Sequence, residues 1–209
     1  MLGDPGILCF QHCDKVVKIF CFDLPDVCAL CNGDLQTSEL RIPPFRVPYP
    51  FTSAKKSPCS VVIKPTKGDF LNAYQNSTDL HIGITDSKGE VYDFDREGLR
   101  FNCSHLWNEC LPITIISKLD TTWKEYWDYI LNAICHQDQW QKEKYEENSH
   151  NCYSFVLSFL RALQLRQMKS SLISKTQFCK DFIVPRTKTA AKYIALYRQL
   201  QKENVCIQR

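Results

Sequence analysis

The stretch DLHIGITDSKGEVYDFD, residues 79–95, predicts a β-hairpin and sets the class of the fold around it. Its two halves are rich in β-branched and aromatic residues, which favour strands. Between them, DSKG carries the turn residues of a hairpin, with glycine in the last position. The sequence therefore predicts two antiparallel strands, residues 79–85 and residues 90–95.

The length of the turn decides which side chains face each other across this hairpin. If the loop is residues 87–89, closed by a glycine bulge, Gly83 lies opposite Asp93 on the face that also carries His81. Asp93 is then diagonal to His81 and can orient its imidazole. A loop of two or four residues reverses the parity and places Phe94 opposite His81 instead.

Further strands flank the hairpin, and helices fill the rest of the chain. Strand patterns cover residues 60–65, 99–104 and 111–117. Helical periodicity begins after residue 120 and predicts helices over residues 121–134, 152–163, 174–183 and 185–204. A run of strands followed by a run of helices is typical of an α+β domain.

Composition divides the chain into three parts. Residues 1–40 are rich in cysteine and predict a small hairpin, with KVVKIFCF (residues 15–22) as a strand. Residues 41–58 contain five of the ten prolines, which indicates a linker or an extended segment. Residues 59–209 are the predicted α+β domain.

Charge and hydropathy exclude several classes of function. The net charge of +3, from 26 basic and 23 acidic residues, is too balanced to predict a nucleic-acid partner or an anionic membrane surface. The first residues, MLGDPGILCF, lack the pattern of a secretory signal, and no stretch approaches the roughly 18 apolar residues of a membrane span. We expect a cytoplasmic or nuclear protein whose thiols stay reduced. The sequence predicts no oligomeric state.

Cys152 begins an apolar helix directly after a polar run. The unpaired N–H groups and the macrodipole of a helix N-terminus stabilise a thiolate, so a reactive cysteine favours this position. With His81 and Asp93 on neighbouring strands, Cys152 predicts cysteine–histidine–aspartate chemistry. Asn151 stands beside the helix start and is a candidate oxyanion donor. The structural alternative is a buried thiol that starts a core helix.

The N-terminal cysteines predict a structural zinc site. Cys28 and Cys31 have the C-x₂-C spacing of a zinc knuckle, and Cys13 is the natural third ligand across the hairpin. The fourth place is open to three residues, His12, Cys9 and Cys59. Adjacent residues point to opposite faces of a regular strand, so His12 and Cys13 can both bind only in an irregular knuckle. A reduced hairpin without metal is the alternative.

The stretches DLHIGITDSKGEVYDFD, YEENSHNCYSFVLSFL and FIVPRTKTAAKYIALYR look like the makorin-2 opposite strand protein family. The resemblance extends to FQHC, CALC and PTKGDFL, and it implies membership over nearly the whole chain. It also places a His-Cys pair near the C-x₂-C, which favours His12 as the fourth zinc ligand. The family name itself implies little chemistry.

A wider resemblance concerns the strand histidine and the later helix that starts with Asn-Cys. This pattern is similar to circularly permuted NlpC/P60-like thiol enzymes, a papain-like group that includes lecithin–retinol acyltransferase-like proteins and permuted peptidases. It implies a papain-like core with His81, Asp93 and Cys152 in the catalytic positions. The acyltransferases usually carry histidine or another polar group at the third position, and aspartate fits a peptidase-like triad at least as well.

Together these expectations describe a thiol hydrolase or acyl-transfer enzyme. A peptide or isopeptide bond in a peptide or protein substrate is favoured, because no hydrophobic anchor points to a lipid. The alternative is a catalytically inactive papain-like fold that acts as an intracellular protein-interaction module. An enzyme requires an accessible Cys152 within hydrogen-bond reach of His81.

Overall fold

The computed structural model describes residues 3–75, 77–116 and 120–209. The strands are β1 (Leu8–Gln11), β2 (Lys18–Cys21), β3 (Ile42–Arg46), β4 (Ser60–Pro65), β5 (Leu80–Thr85), β6 (Val91–Asp95), β7 (Gly98–Arg100), β8 (Leu111–Thr114) and β9 (Val205–Gln208). The α-helices are α1 (Thr121–Cys135), α2 (Cys152–Ala162), α3 (Lys175–Phe178) and α4 (Val184–Leu200). Within these described ranges, no helix combines the length and the apolar character needed to cross a bilayer.

The chain divides into two compact units. The smaller unit contains the residues up to Pro50 together with Ala190–Arg209, and the larger unit contains Phe51–Thr189. The sequence predicts residues 190–209 as part of the larger domain, whereas the structure groups them with the N-terminal segment. The physical reason is β9, which pairs with β2.

The smaller unit is built on an antiparallel sheet with the order β3-β1-β2-β9. Its core contains Phe10, Ile19 and Cys28. The proline-rich segment that the sequence marks as a linker or an extended segment supplies β3. This strand lies at the edge of the sheet, where a proline without an N–H group is tolerated.

The larger unit contains an antiparallel sheet of five strands, in the order β7-β6-β5-β4-β8. The inner strand β4 is almost wholly buried, as its β-branched sequence predicts. The predicted strand 99–104 is shorter than expected, because β7 ends at Arg100 and a single helical turn follows at Ser104–Leu106. The predicted strand 111–117 forms as β8, and residue 117 lies outside the described residues.

Helix α2 packs against β5 and β6, and α1 packs against α2. The contact between the two helices is made by Trp127 and Phe159, whose ring centroids lie 4.8 Å apart at a near-perpendicular angle. The indole of Trp127 also donates a hydrogen bond of 2.9 Å to the Thr85 carbonyl at the end of β5. The predicted α+β class is confirmed, and the start of α2 is held against the hairpin strands.

Candidate active site

The hairpin predicted over residues 79–95 forms with the predicted loop. Its strands pair Thr85 with Val91, and Gly89 adopts a left-handed φ of +79° at the end of the loop. The prediction of residues 87–89 as a loop closed by glycine is therefore confirmed. Continuing the same register places Asp93 opposite Gly83, on the face that carries the candidate histidine.

Gly83 is required for the close approach of the two strands. A Cβ atom at this position would lie 3.0 Å from the Tyr92 carbonyl oxygen and 3.3 Å from the Asp93 Cβ. Both distances are shorter than ordinary van der Waals contact, so a side chain here would push β6 away from β5. The glycine thus lets Asp93 reach its histidine neighbour.

His81 and Asp93 form a close pair beneath the surface. The His81 Nε2 lies 3.3 Å from the Asp93 Oδ2, and the exposed fractions of the two side chains are 11% and 0%. The buried Nε2 forms no hydrogen bond with any described residue. The pair is therefore held by charge and proximity.

Asp93 is also the centre of a second set of contacts. Arg100, opposite it on β7, donates from Nε and Nη2 to the two carboxylate oxygens at 2.8 and 3.1 Å. The indole of Trp107 donates to Oδ2 at 3.2 Å, and its ring lies 5.6 Å from the His81 ring. A buried carboxylate needs such partners, because leaving its charge unpaired would cost several kcal/mol.

These contacts shift the pKa values of both members of the pair. Burial would raise the pKa of Asp93, but His81 and Arg100 outweigh it and hold this pKa below its ordinary value. Burial would lower the pKa of His81, but the proximity and charge of Asp93 and Cys152 raise it to about 9. The site therefore favours an imidazolium beside a carboxylate at neutral pH.

Cys152 is the first residue of α2 and is buried, with 7% of its surface exposed. Its thiol lies close enough to the His81 imidazole to help raise the pKa of that ring. The structure thus brings Cys152, His81 and Asp93 together, with the imidazole in contact with both partners. Their catalytic roles remain a prediction.

Asn151 caps the same helix. Its Oδ1 accepts from the Tyr153 N–H at 3.0 Å, its Nδ2 donates to the Glu147 carbonyl at 2.5 Å, and its own N–H donates to Ser154 Oγ at 3.3 Å. The side chain is therefore used at both ends to fix the chain entering α2. One amide hydrogen remains for the oxyanion role predicted from the sequence, which stays a prediction.

Sequence reasoning missed three residues that surround the pair, Lys64, Arg100 and Trp107. A signal for Arg100 was present, because DREG (residues 95–98) is a second turn sequence and a tight turn there pairs Asp93 with Arg100. Lys64 pairs with His81 across β4 and β5, and its Nζ lies 4.7 Å above the Trp107 ring. Trp107 follows a loop, so no strand register could have placed it.

A second cluster lies in the smaller unit and contains His12, Cys13, Cys28 and Cys31. Their ligand atoms all lie within 4.8 Å of one another, with Cys13 Sγ 4.0 Å from Cys28 Sγ and Cys31 Sγ 3.3 Å from His12 Nδ1. Because β1 ends at Gln11, the next two residues lie in an irregular turn and can both face the cluster. These are the predicted ligands, with His12 in the fourth place.

The donor set fits a tetrahedral metal ion. Bond lengths of about 2.3 Å to sulfur and about 2.0 Å to nitrogen give tetrahedral edges of roughly 3.6 to 3.8 Å, close to the two observed separations. Burial would raise the pKa of Cys28, but N–H groups of Leu30 and Cys31 and contacts with His12 lower it to about 7. The four donor atoms are thus close enough together to hold a metal ion.

Comparison with known proteins identifies the family. The model described as DUF4796 C-terminal matches residues 44–200, and the model described as DUF4796 N-terminal matches residues 5–35. MKRN2 opposite strand protein from Homo sapiens is 34% identical over 197 residues, which cover 94% of this chain and 86% of the human protein. No solved structure matches the chain. The chain therefore belongs to the DUF4796 family of MKRN2 opposite strand proteins, as the resemblance of its sequence predicts.

Proposed function

We propose that the larger unit is a thiol hydrolase or acyl-transfer enzyme in which Cys152 is the nucleophile. His81 holds the thiol proton, acts first as general acid and then as general base, and is oriented by Asp93. One observation carries the proposal: the same imidazole lies 3.3 Å from a buried carboxylate and close enough to a helix-initial thiol for that thiol to raise its pKa. This is the order of groups that activates a cysteine for attack on a carbonyl carbon.

The chemistry follows from these three groups. In the proposed resting state the proton of Cys152 is already held by the His81 imidazolium, and the thiolate attacks the carbonyl carbon of the substrate to form a tetrahedral oxyanion. The unpaired N–H groups of the first turn of α2 can donate to that oxyanion. The imidazolium then gives its proton to the leaving amine, the C–N bond breaks, and a thioester on Cys152 remains.

Resolution of the thioester uses the same residues in reverse. His81 takes a proton from water or from an acceptor amine, which attacks the thioester carbonyl. The C–S bond breaks and the proton returns to Cys152. Water yields hydrolysis and an amine yields acyl transfer, so access of water to the imidazole decides the outcome.

The scaffold proposed for this chemistry is a circularly permuted papain-like core. Its support is the arrangement of an antiparallel sheet that carries His81 and Asp93 with a later helix that begins at the cysteine and packs on the same strands. A peptide or protein chain is the proposed substrate.

The test is the rate at which an electrophilic peptide probe, such as a peptidyl acyloxymethyl ketone, labels each cysteine at neutral pH. We expect Cys152 to react at least tenfold faster than Cys135, a half-buried cysteine whose burial raises its pKa to about 12. His81→Ala should abolish that advantage, and Cys135→Ala should leave it unchanged. Equal rates at the two cysteines would remove the proposed nucleophile.

The second candidate is a non-catalytic interaction module. The low exposure of Cys152 favours it, because a sealed thiol cannot meet a carbonyl carbon. The module requires that Cys152→Ser preserve the folded structure and every interaction of the protein. A probe-labelled Cys152 argues against it.

We also infer that the cluster of His12 with three cysteines binds zinc in a structural role. A tetrahedral set of three sulfurs and one nitrogen is typical of closed structural zinc sites. Purified protein should then contain one zinc per chain by mass spectrometry. Cys28→Ser should lose the metal, while Cys9→Ala, a buried cysteine in the same unit, should retain it. Zinc well below one equivalent in the wild-type protein would refute the inference.

A further inference from the structure

A cavity of about 430 Å³ opens at the end of α2 opposite to Cys152. Three buried leucines line it, Leu160, Leu165 and Leu172. Its volume lies within the range of roughly 300 to 1,000 Å³ that is usual for small-molecule sites. The cavity belongs to the larger unit and is separate from the proposed catalytic residues.

Three cations share the lining of this cavity, Arg161, Arg166 and Lys169, and no acidic residue lines it. None of the three forms an ion pair with any residue of the described ranges. The surrounding sequence also lacks negative charge, because residues 148–180 contain no aspartate or glutamate. This local excess stands out in a chain with 26 basic and 23 acidic residues.

Arg161 is fixed in place before any ligand arrives. Its Nε and Nη2 donate to the Leu172 carbonyl at 2.9 and 2.7 Å. Its Nη1 makes no hydrogen bond with the described part of the chain, so that end of the guanidinium can serve a ligand. Asp181, the first acidic residue after this segment, is already engaged by Ser171 at 2.6 Å and by Gln177 at 2.8 Å.

We propose that this cavity binds the phosphoryl group of a small ligand. Three unpaired positive charges on one cavity suit a group that carries more than one negative charge, as a phosphomonoester does near neutral pH. Two guanidinium groups offer the forked donors that match phosphate oxygens, and the ammonium group adds a point charge. The leucines would contact the apolar or ring portion of the ligand.

The same chemistry is supplied by a soluble phosphate ester or by the headgroup of a phosphorylated lipid, and the experiment separates these sources. Calorimetric titration of the full chain would use inorganic pyrophosphate, inositol trisphosphate and, as a carboxylate comparison, citrate. Sedimentation would use phosphatidylcholine vesicles with and without phosphatidylinositol bisphosphate. Binding to the soluble phosphates alone indicates a soluble ligand, and additional binding to the bisphosphate vesicles indicates a headgroup.

The matched variants are Arg166→Gln/Lys169→Gln and Lys175→Gln/Lys180→Gln. Both remove two positive charges from the same acid-free segment, but only the first pair lines the cavity. We expect the first variant to weaken phosphate binding at least about tenfold, equivalent to about 1.4 kcal/mol, and the second to change it by less than about twofold. Equal weakening of phosphate binding by both variants would show that only the overall positive charge of the segment matters, and would overturn the proposed site.

Two other results would also overturn it. Absence of binding by every phosphate probe refutes the site directly, and citrate binding as tightly as pyrophosphate refutes the phosphoryl class. Thermal melting of both double variants checks that they remain folded. Arg161→Lys provides an independent variant, because it keeps the charge but loses the fork and should still weaken pyrophosphate binding.

Discussion

The imidazole of His81 and the carboxylate of Asp93 lie 3.3 Å apart on neighbouring strands, and the carboxylate has no exposed surface. The charge of each group therefore depends on the other. Because Asp93 also binds Arg100 through two hydrogen bonds, the carboxylate stays ionised across the neutral range. The histidine is the member of the pair that titrates above neutral pH, with a pKa of about 9.

The stability of the protein should fall with rising pH in a way that depends on His81. Its pKa is raised from 6.5 to about 9 in the folded state, so protonation stabilises the fold below pH 6.5 and this contribution is lost as the pH rises through 9. Between pH 6.5 and 8.5, the free energy of unfolding should fall by about 2 kcal/mol more in the wild type than in His81→Gln. Urea unfolding at several pH values measures it, and parallel profiles would contradict the prediction.

Asp93→Asn should destabilise the larger unit and lower the pKa of His81. The substitution leaves Arg100 without its buried partner, which costs about 3 kcal/mol. Asp95→Asn is the matched control, because Asp95 binds Arg100 through Nη1 at 2.8 Å but is partly exposed, and its loss should cost less than about 1 kcal/mol. NMR titration of the His81 ring and urea unfolding provide the two measurements. Equal losses of unfolding free energy in the two variants would show that Asp93 is not the main partner of Arg100.

Gly83→Ala should separate β5 from β6. The new methyl group would lie 3.0 Å from the Tyr92 carbonyl oxygen and 3.0 Å from Val91 Cγ1, so one strand must shift at a cost of about 1 to 3 kcal/mol. Probe labelling of Cys152 should fall with the loss of the His81–Asp93 contact. Gly3→Ala has nothing within 4 Å of its methyl group and should change neither quantity. A stable, fully reactive Gly83→Ala protein would be inconsistent with the strand geometry described above.

Trp107→Phe should weaken the His81–Asp93 pair by removing a hydrogen bond to the Asp93 carboxylate. The indole of Trp107 donates to Asp93 at 3.2 Å, and the phenyl ring keeps most of the apolar contact but not the donor. Since a hydrogen bond to a charged group contributes about 1.5 to 3 kcal/mol, we expect a loss of about 2 kcal/mol in unfolding free energy. Trp123→Phe, in the half-buried part of α1, is the control and should cost less than half as much. Similar losses of unfolding free energy in the two variants would show that the smaller ring, and not the lost hydrogen bond, causes the destabilisation.

The parts of the site that sequence could predict are those set by local rules. The register of the β5–β6 hairpin follows from the chemistry of residues 87–89, and the cap of α2 follows from Asn151. The same reasoning applied to residues 95–98 would have paired Asp93 with Arg100. The position of Trp107 could not be predicted from the sequence, because it depends on an irregular loop without helical or strand periodicity.

The parts that sequence missed depend on distant pairing. β3 contains two prolines and has no strand signature of its own, and only its position at the sheet edge makes it a strand. The predicted boundary between residues 174–183 and 185–204 is also bridged, because α3 continues through a π-turn (Cys179–Ile183) into α4. Pro185 follows this turn and lies in the first turn of α4, where a proline is tolerated.

The strand β9 has a consequence for the way the chain reaches its native state. It forms the outer edge of the first sheet beside β2, yet the ribosome makes it only after the whole of Phe51–Thr189. The larger unit can complete its contacts during translation, while the N-terminal sheet waits for its last member. The beginning of this polypeptide is therefore among the last parts to mature, and a nascent chain halted before residue 205 carries an unpaired edge along Lys18–Cys21.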